Sequence, residues 1–600
     1  MIQKTIKMIK NIFFFFLLAI SSINLNAQTS YQLPKVLILT TGDGAGRGTV
    51  SDGVVLALQS FNKLGVFVRL ENRSALLKPY LLSEYSILII PTIPGYHDKP
   101  YKNALTYMSD MEMQNINDWV KNGGTLLTDV NAGRNTLKKY DRVLNDGVLD
   151  QADWLLAKSF GVKLKEVNIS SFVLKDNNLH IWNNKISIPN KMGKWLLVPI
   201  KTESNIEAPM QWKNGNSNLP ALTVHPYGKG KVIMLPTFYL LHPKKDAGLS
   251  TEKQINRFYK FVYNQSIGNH QYAIQLLPWK DAHTSAYCQT FDDGGNMEQY
   301  QRIIHFTNQN KLPTVFFVTP HINTATIKLL KSAPYISIQG HSFNHPDFRK
   351  LNFSETENEF LMNRLFWKKK FMGLRFPYVS NSFWGMYSMN KLDFKYDTSI
   401  AANHLEFIRG SVVPYNIPIF KDDFYQTLDL FEISQIYHSD WFFYQKVLEK
   451  APYTEAQQKL DADRFRKYLF RYFSEVVQPN NGVMVYLGHP MYSGISDTTL
   501  QPLKDFLAYI KEQNVWITSL NTVAERWNKL KNLNVQIEEN NRTVKIFLDT
   551  HGEKIEGLSI KLSQKPTKIT CDTKYKLKRM GEAYYLILDV NRKNVITLHY

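Results

Sequence analysis

Short apolar runs that alternate with helical patterns leave this 600-residue chain few architectures. Residues 285–291 (SAYCQTF), 314–319 (TVFFVT), 335–339 (YISIQ), 373–376 (GLRF) and 483–488 (VMVYLG) are of strand length and rich in β-branched and aromatic side chains. Helical stretches such as 357–371 and 503–513 lie between them. Strand and helix in turn imply parallel strands joined by crossovers, and units of this kind in series imply a distorted (β/α) barrel over residues 275–528. In such a barrel the chemistry gathers on the rim where strands end, and here polar groups follow the apolar runs directly.

An earlier region keeps the same rhythm. Residues 34–41 (PKVLILTT), 85–91 (YSILIIP), 124–129 (GTLLTD) and 231–235 (KVIML) read as strands, with helices through Val54 to Leu58 and near 113–120. They predict a doubly wound, flavodoxin-like α/β domain over 30–268. Its glycine-rich turn, 42–48 (GDGAGRG), has neither the dinucleotide nor the P-loop spacing. Residues 531–600 instead show short alternating runs (VKIFLD, YYLILDV, VITLHY), predicting a small β-sandwich.

Residues 1–27 carry Lys4, Lys7 and Lys10, an apolar centre (IFFFFLLAI) and a small-residue exit at Ala27, the layout of an export signal. The expected location is periplasmic or secreted. No later run is long and apolar enough for a membrane span. Cys288 and Cys571 are the only cysteines, which excludes a disulfide framework and predicts two free thiols. The formal charge of +20 favours anionic surfaces or polymers, but no dense basic run points to nucleic acid.

The candidate chemistry starts at Asp292-Asp293, two carboxylates at the end of an apolar run. A polar turn would account for them; so would a site where one binds a cation and the other moves protons. His341 and His345 stand four positions apart after another strand and can converge on one cation, and a carboxylate with two imidazoles leaves positions open for water and substrate. Arg375 follows a strand and would hold a carboxylate ionised. His489, after the last strong strand, is a candidate general acid.

With these residues in view, the region resembles the polysaccharide deacetylases, carbohydrate esterase family four. The ordered motifs TFDDG (290–294), HSFNH (341–345), RFPY (375–378) and LGH (487–489) carry the likeness. The resemblance implies one divalent ion, commonly zinc with cobalt or others possible, held by Asp293, His341 and His345. It implies Asp292 as general base, Arg375 as its orienting partner, the Tyr378 backbone N–H as an oxyanion donor and His489 as proton donor to the leaving amine. Asp440 of Asp440-Trp441 is the candidate that tunes His489. The implied activity is removal of acetyl groups from N-acetylated sugars of a cell-envelope or extracellular polysaccharide. O-acetyl glycan esterase action by the same site, and a non-catalytic glycan-binding protein, are the alternatives. The aromatic-rich interval 401–480 reads as an insertion, either a sugar-stacking wall or a helical cap with its own core. Residues 30–268 resemble the class I glutamine amidotransferase-like fold in layout. Glutamine-hydrolysing members use a cysteine nucleophile, and none precedes Cys288, so a scaffold or glycan-holding role is expected there.

Overall fold

The computed structural model describes residues 29–40, 50–92, 105, 108–133, 154–164, 172–176, 181–182, 186–188, 200–202, 206–214, 217–235, 238–243, 250–268, 270, 272–402, 410–421, 424–449 and 452–600. Residues 1–27, read as an export signal, and the glycine-rich stretch 42–48 lie outside them.

In the N-terminal region the strands Val36–Leu39, Val68–Glu71, Ile87–Ile90, Thr125–Asp129 and Gly230–Leu235 pair in parallel, and Thr223–Tyr227 runs antiparallel beside the last. The first strand sits between the second and third, the doubly wound order in which the chain winds outward in both directions. Alternation along each strand sends Val36 and Ile38 to one face, under helices Asp52–Lys63 and Glu252–Ile267. Leu37 and Leu39 go to the other, under Asp110–Lys121.

The central region is one curled sheet. Val483–Gly488, Ser285–Asp292, Thr314–Val318, Ile336–Gly340, Gly373–Leu374, Tyr396–Asp397 and Phe424–Glu432 are neighbours in that order, all parallel, and Tyr415–Lys421 adds an antiparallel edge. The chain beyond Glu432 then bends back to the opposite edge, where Gln435 bridges Val485 and the Ile436 N–H donates to the Val485 carbonyl at 2.9 Å. One bridge thus closes the curl. Ala286, Cys288, Val315, Phe317, Tyr396, Ile433 and Val485 fill its interior, while the outer face packs on helices that include Met297–Gln309, Phe353–Trp367 and Asp497–Lys511.

Interval 401–480 resolves the choice between wall and cap in favour of core. Helix Glu455–Tyr472 buries Phe465, Tyr468, Leu469 and Tyr472 in the same cluster as the barrel's outer face, while Trp441 and Phe442 stand exposed on the segment before it. Helices around the rim are started by local chemistry. Asn296 caps Met297–Gln309 by accepting the Gln299 N–H at 3.0 Å, and Gln299 returns the bond to the Asn296 N–H at 2.8 Å. The helix therefore begins four residues after Asp293, across Gly294 and Gly295, whose φ values of 106° and 117° suit only glycine.

The C-terminal strands are far longer than the short runs expected. Thr543–Leu562 and Ala583–His599 pair antiparallel along most of their length, with irregularities after Asp549 and Ile555 that bend the pair into two leaves. The polar stretch DTHGEK at the bend is what made one strand look like two. Each leaf recruits a strand from elsewhere: Thr29–Gln32 pairs with Asn534–Glu539, and Ile274–Leu277 pairs with the second half of Thr543–Leu562. Buried Arg526 ties helix Leu520–Lys531 to this sheet by donating to the carbonyls of Pro278 (2.6 Å) and Glu556 (2.8 Å).

Among the described residues no helix is long and apolar enough to cross a membrane. Both cysteines are free, Cys288 buried in the barrel and Cys571 half-buried.

The curl is tightest at Gly373, where an added Cβ would lie 2.0 Å from the Tyr396 ring on the neighbouring strand. Gly373→Ala should therefore cost about 1–3 kcal/mol, as overpacking of a filled interior does. Chemical denaturation measures it, and a midpoint equal to wild type would mean that the interior has slack.

Candidate active site

Four strand ends carry the polar cluster to one rim of the curled sheet. Asp292 is the last residue of its strand and Asp293 the first beyond it; His341 follows Ile336–Gly340, Arg375 follows Gly373–Leu374, and His489 follows Val483–Gly488. Asp293, His341 and His345 converge, with one ligand atom from each lying within 4.8 Å of the others.

Each of these three is aimed by a neighbour. The Thr319 N–H (2.9 Å) and hydroxyl (2.6 Å) both donate to Asp293 Oδ2, which leaves Oδ1 for a cation. His341 Nδ1 lies 2.7 Å from the Arg375 carbonyl, so Nδ1 carries the proton and Nε2 is the free donor atom. Burial, with His341 alongside, holds the His345 imidazole below its ordinary pKa and hence neutral, the form that ligates. The loop between the histidines takes φ values of 76° at Ser342 and 57° at His345. Glu359 fixes it by accepting from the Phe343 N–H (2.9 Å), the Asn344 N–H (2.7 Å) and the Asn344 amide (2.8 Å), and Asn363 donates to the Ser342 carbonyl. One carboxylate and two imidazoles, one of them fixed in tautomer, in a partly open cluster fit a divalent ion of the zinc type.

Asp292 stands beside this group with a different set of partners. Arg375, wholly buried and lying over the Phe317 ring at 4.5 Å, donates from Nη1 to Asp292 Oδ1 at 2.8 Å. Its Nη2 donates to the Thr290 hydroxyl (2.8 Å) and its Nε to the Thr398 carbonyl (3.1 Å). Burial alone would raise the Asp292 carboxyl, but the guanidinium, with His341 and His489, holds it below the usual carboxylate range. Its other oxygen, Oδ2, is 4.0 Å from both His341 Nε2 and His489 Nε2, and so faces the cation position on one side and the second imidazole on the other.

His489 is joined to Asp440 across 49 residues of sequence. Asp440, fully buried, accepts from His489 Nδ1–H at 2.8 Å, the His489 N–H at 2.7 Å and the Ser493 hydroxyl at 2.8 Å. Burial of the ring opposes its charge, yet the Asp440 carboxylate outweighs this and, with Asp292, holds the imidazole above its ordinary pKa. Tyr378, an exposed residue, completes the rim from a turn with φ of 56°, and its ring meets that of His345 edge-on with centroids 4.6 Å apart. Trp441 is exposed on the same stretch as Asp440.

All eight residues singled out from the sequence thus lie in this one neighbourhood. The reading missed Thr290, Thr319, Glu359, Asn363 and Ser493. Thr290 and Thr319 each sit in a strand end that was legible. Glu359 and Asn363 look like ordinary polar positions of an amphipathic helix and give no sequence signal.

Residues 280–396 match the family profile described as polysaccharide deacetylase, which makes the chain a hydrolase acting on carbon–nitrogen bonds. Residues 78–265 match the beta-galactosidase trimerisation domain profile, and the likeness of the N-terminal region to glutamine amidotransferases finds no support beside it. No curated protein matches the chain. Solved structures with similar parts include a Mycobacterium smegmatis protein assigned to the polysaccharide deacetylases (17% identity, 42% of this chain and 92% of that one, TM-score 0.33). Others are a family 4 carbohydrate esterase from Streptomyces lividans in complex with acetate (13% identity, 39% and 92%, TM-score 0.25) and a cold-adapted beta-galactosidase from Rahnella sp. R3 (14% identity, 41% and 34%, TM-score 0.27). With scores this low, the structural likenesses decide neither fold nor activity.

The His489–Asp440 pair has a direct signature. The imidazolium persists above its ordinary range and is lost as pH rises through the raised value, so Asp440→Asn should move that midpoint to lower pH. NMR titration of the His489 ring reads it, and an unmoved midpoint would mean that Asp440 does not set the charge of His489.

Proposed function

We propose that this chain is an exported, metal-dependent deacetylase that removes acetyl groups from N-acetylated sugars of a cell-envelope or extracellular polysaccharide. The observation that carries it is the meeting of the Asp293–His341–His345 cluster with Asp292, held by Arg375, and His489, held by Asp440. The deacetylase profile over residues 280–396 supports the same reading. The export-signal layout of residues 1–27 supports a periplasmic or secreted location.

Asp293 Oδ1, His341 Nε2 and one ring nitrogen of His345 would hold a single divalent ion, zinc being our first expectation. Such an ion supplies Lewis-acid chemistry, polarising an acyl oxygen and making water more acidic. The chain's own residues do the rest. Asp292 Oδ2, kept ionised by Arg375, takes a proton from the attacking water. The oxygen of that water bonds to the acetyl carbon, and the charge that develops on the carbonyl oxygen meets the Tyr378 N–H. His489 Nε2–H then protonates the departing nitrogen as the C–N bond breaks, leaving acetate and a free amine. Asp440 keeps the ring protonated for that step and fixes its tautomer. A glycan-binding protein without catalysis has no use for a base and an acid poised 4.0 Å apart.

The test is acetate release from a panel of N- and O-acetylated oligosaccharides, with chelator, zinc or cobalt. Release from N-acetylated members that stops on chelation and returns with the metal is expected. Release from O-acetylated members alone would replace the proposal with an esterase, and undiminished release after metal removal would refute the metal role.

A further inference from the structure

Two carboxyl groups that take no direct part in this chemistry face each other one strand away from it. Asp397 ends strand Tyr396–Asp397, Glu432 ends Phe424–Glu432, and the two are register partners in the parallel sheet. Both are wholly buried. Asp397 Oδ1 accepts the Ser399 hydroxyl at 2.7 Å and Oδ2 the Ser399 N–H at 3.2 Å, while Glu432 Oε1 accepts the Ile400 N–H at 3.1 Å. Glu432 Oε2 makes no hydrogen bond among the described residues. Two facing carboxylates in a low-dielectric interior cannot both ionise, and a proton on Glu432 converts the orphaned oxygen into a donor toward Asp397.

The pair grips the segment from which Arg375 hangs. Arg375 Nε donates to the Thr398 carbonyl at 3.1 Å, the Phe376 N–H donates to the Ser399 hydroxyl at 2.8 Å, and the Ile433 N–H donates to the Asp397 carbonyl at 3.0 Å. We infer that Asp397 and Glu432 share one proton and serve as a positioning pair, holding Thr398 and Ser399 so that the Arg375 guanidinium is aimed at Asp292. The groups that bear on the pair agree with one shared negative charge. On its own segments these are the Ser399 hydroxyl and amide, the Ile400 amide and the Ser434 hydroxyl; the Tyr415 phenol faces it from the antiparallel edge strand. Arg375, on the other side, has its Nη1 engaged by Asp292. Burial pushes Asp397 up to about 6; burial and the Asp397 charge drive Glu432 well above its ordinary range.

A carboxyl whose folded pKa is raised contributes stability that is whole below its unfolded pKa, about 4, and is lost as pH rises through the folded value. Glu432→Gln supplies a permanent donor to Asp397 and cannot ionise, so its thermal midpoint should fall less than that of wild type over that rise. Its acetate release should stay within about threefold of wild type, whereas Glu432→Leu, which removes the grip, should lower kcat about 10²-fold with metal content intact, the scale of a small misplacement of a catalytic group. The kinetic arm rests on the deacetylase reading; the thermal arm does not, and it decides the proton if Glu432→Leu fails to fold. Equal pH dependence of the thermal midpoint in wild type and Glu432→Gln would overturn the shared proton. Equal loss of kcat in the Gln and Leu variants would overturn the positioning role.

Discussion

The rim of this barrel is organised by one buried ion pair, Arg375 with Asp292. A guanidinium sealed inside an apolar curl is tolerable only if its charge is answered and its N–H groups are satisfied, and three neighbours do so: Asp292, Thr290 and Thr398. Removing either member would leave a lone buried charge at a cost of about 3–5 kcal/mol. The same pairing keeps Asp292 ionised where burial would protonate it. Stability and the ionised state of Asp292 are thus one interaction, and the Arg375 carbonyl extends it by fixing the tautomer of His341.

The adjacent carboxylates Asp292 and Asp293 differ only in what surrounds them. Strand alternation sends neighbours to opposite sides, so the last strand residue meets the Arg375 guanidinium in the barrel and the first loop residue meets the amide and hydroxyl of Thr319. Each functional group on the rim is then fixed by a partner that itself does no chemistry: Asp440 for His489, Glu359 for the histidine loop, Thr319 for Asp293. Such second partners hold the geometry to within the fraction of an ångström that proton transfer requires.

Much of this was legible in the sequence because strand ends announce themselves. An apolar run followed at once by Asp, His or Arg marks a rim position, and that signal found Asp292, Asp293, His341, Arg375 and His489. Asp440 lay within reach only through the Asp-Trp motif, and its bond to His489 depends on a helix start 49 residues earlier that no local pattern connects to it. Glu359 and Glu432 were invisible. One looks like a solvated helix residue, the other like the polar end of an aromatic strand, and only the fold shows what they face. The C-terminal sheet was misjudged in strand length because its bends carry turn-like residues, and its strands from 29–32 and 274–277 come from sequence too distant for any local reading to join.

The central claim, that the adjacent carboxylates hold separate jobs, is tested most directly by metal content measured on purified Asp292→Asn and Asp293→Asn proteins alongside acetate release. The account predicts that Asp292→Asn keeps its metal and loses about 10²–10⁴-fold in rate, the worth of a general base, while Asp293→Asn loses metal and activity together. A metal-free Asp292→Asn with a loaded but inactive Asp293→Asn would contradict it, and the two roles would have to be exchanged.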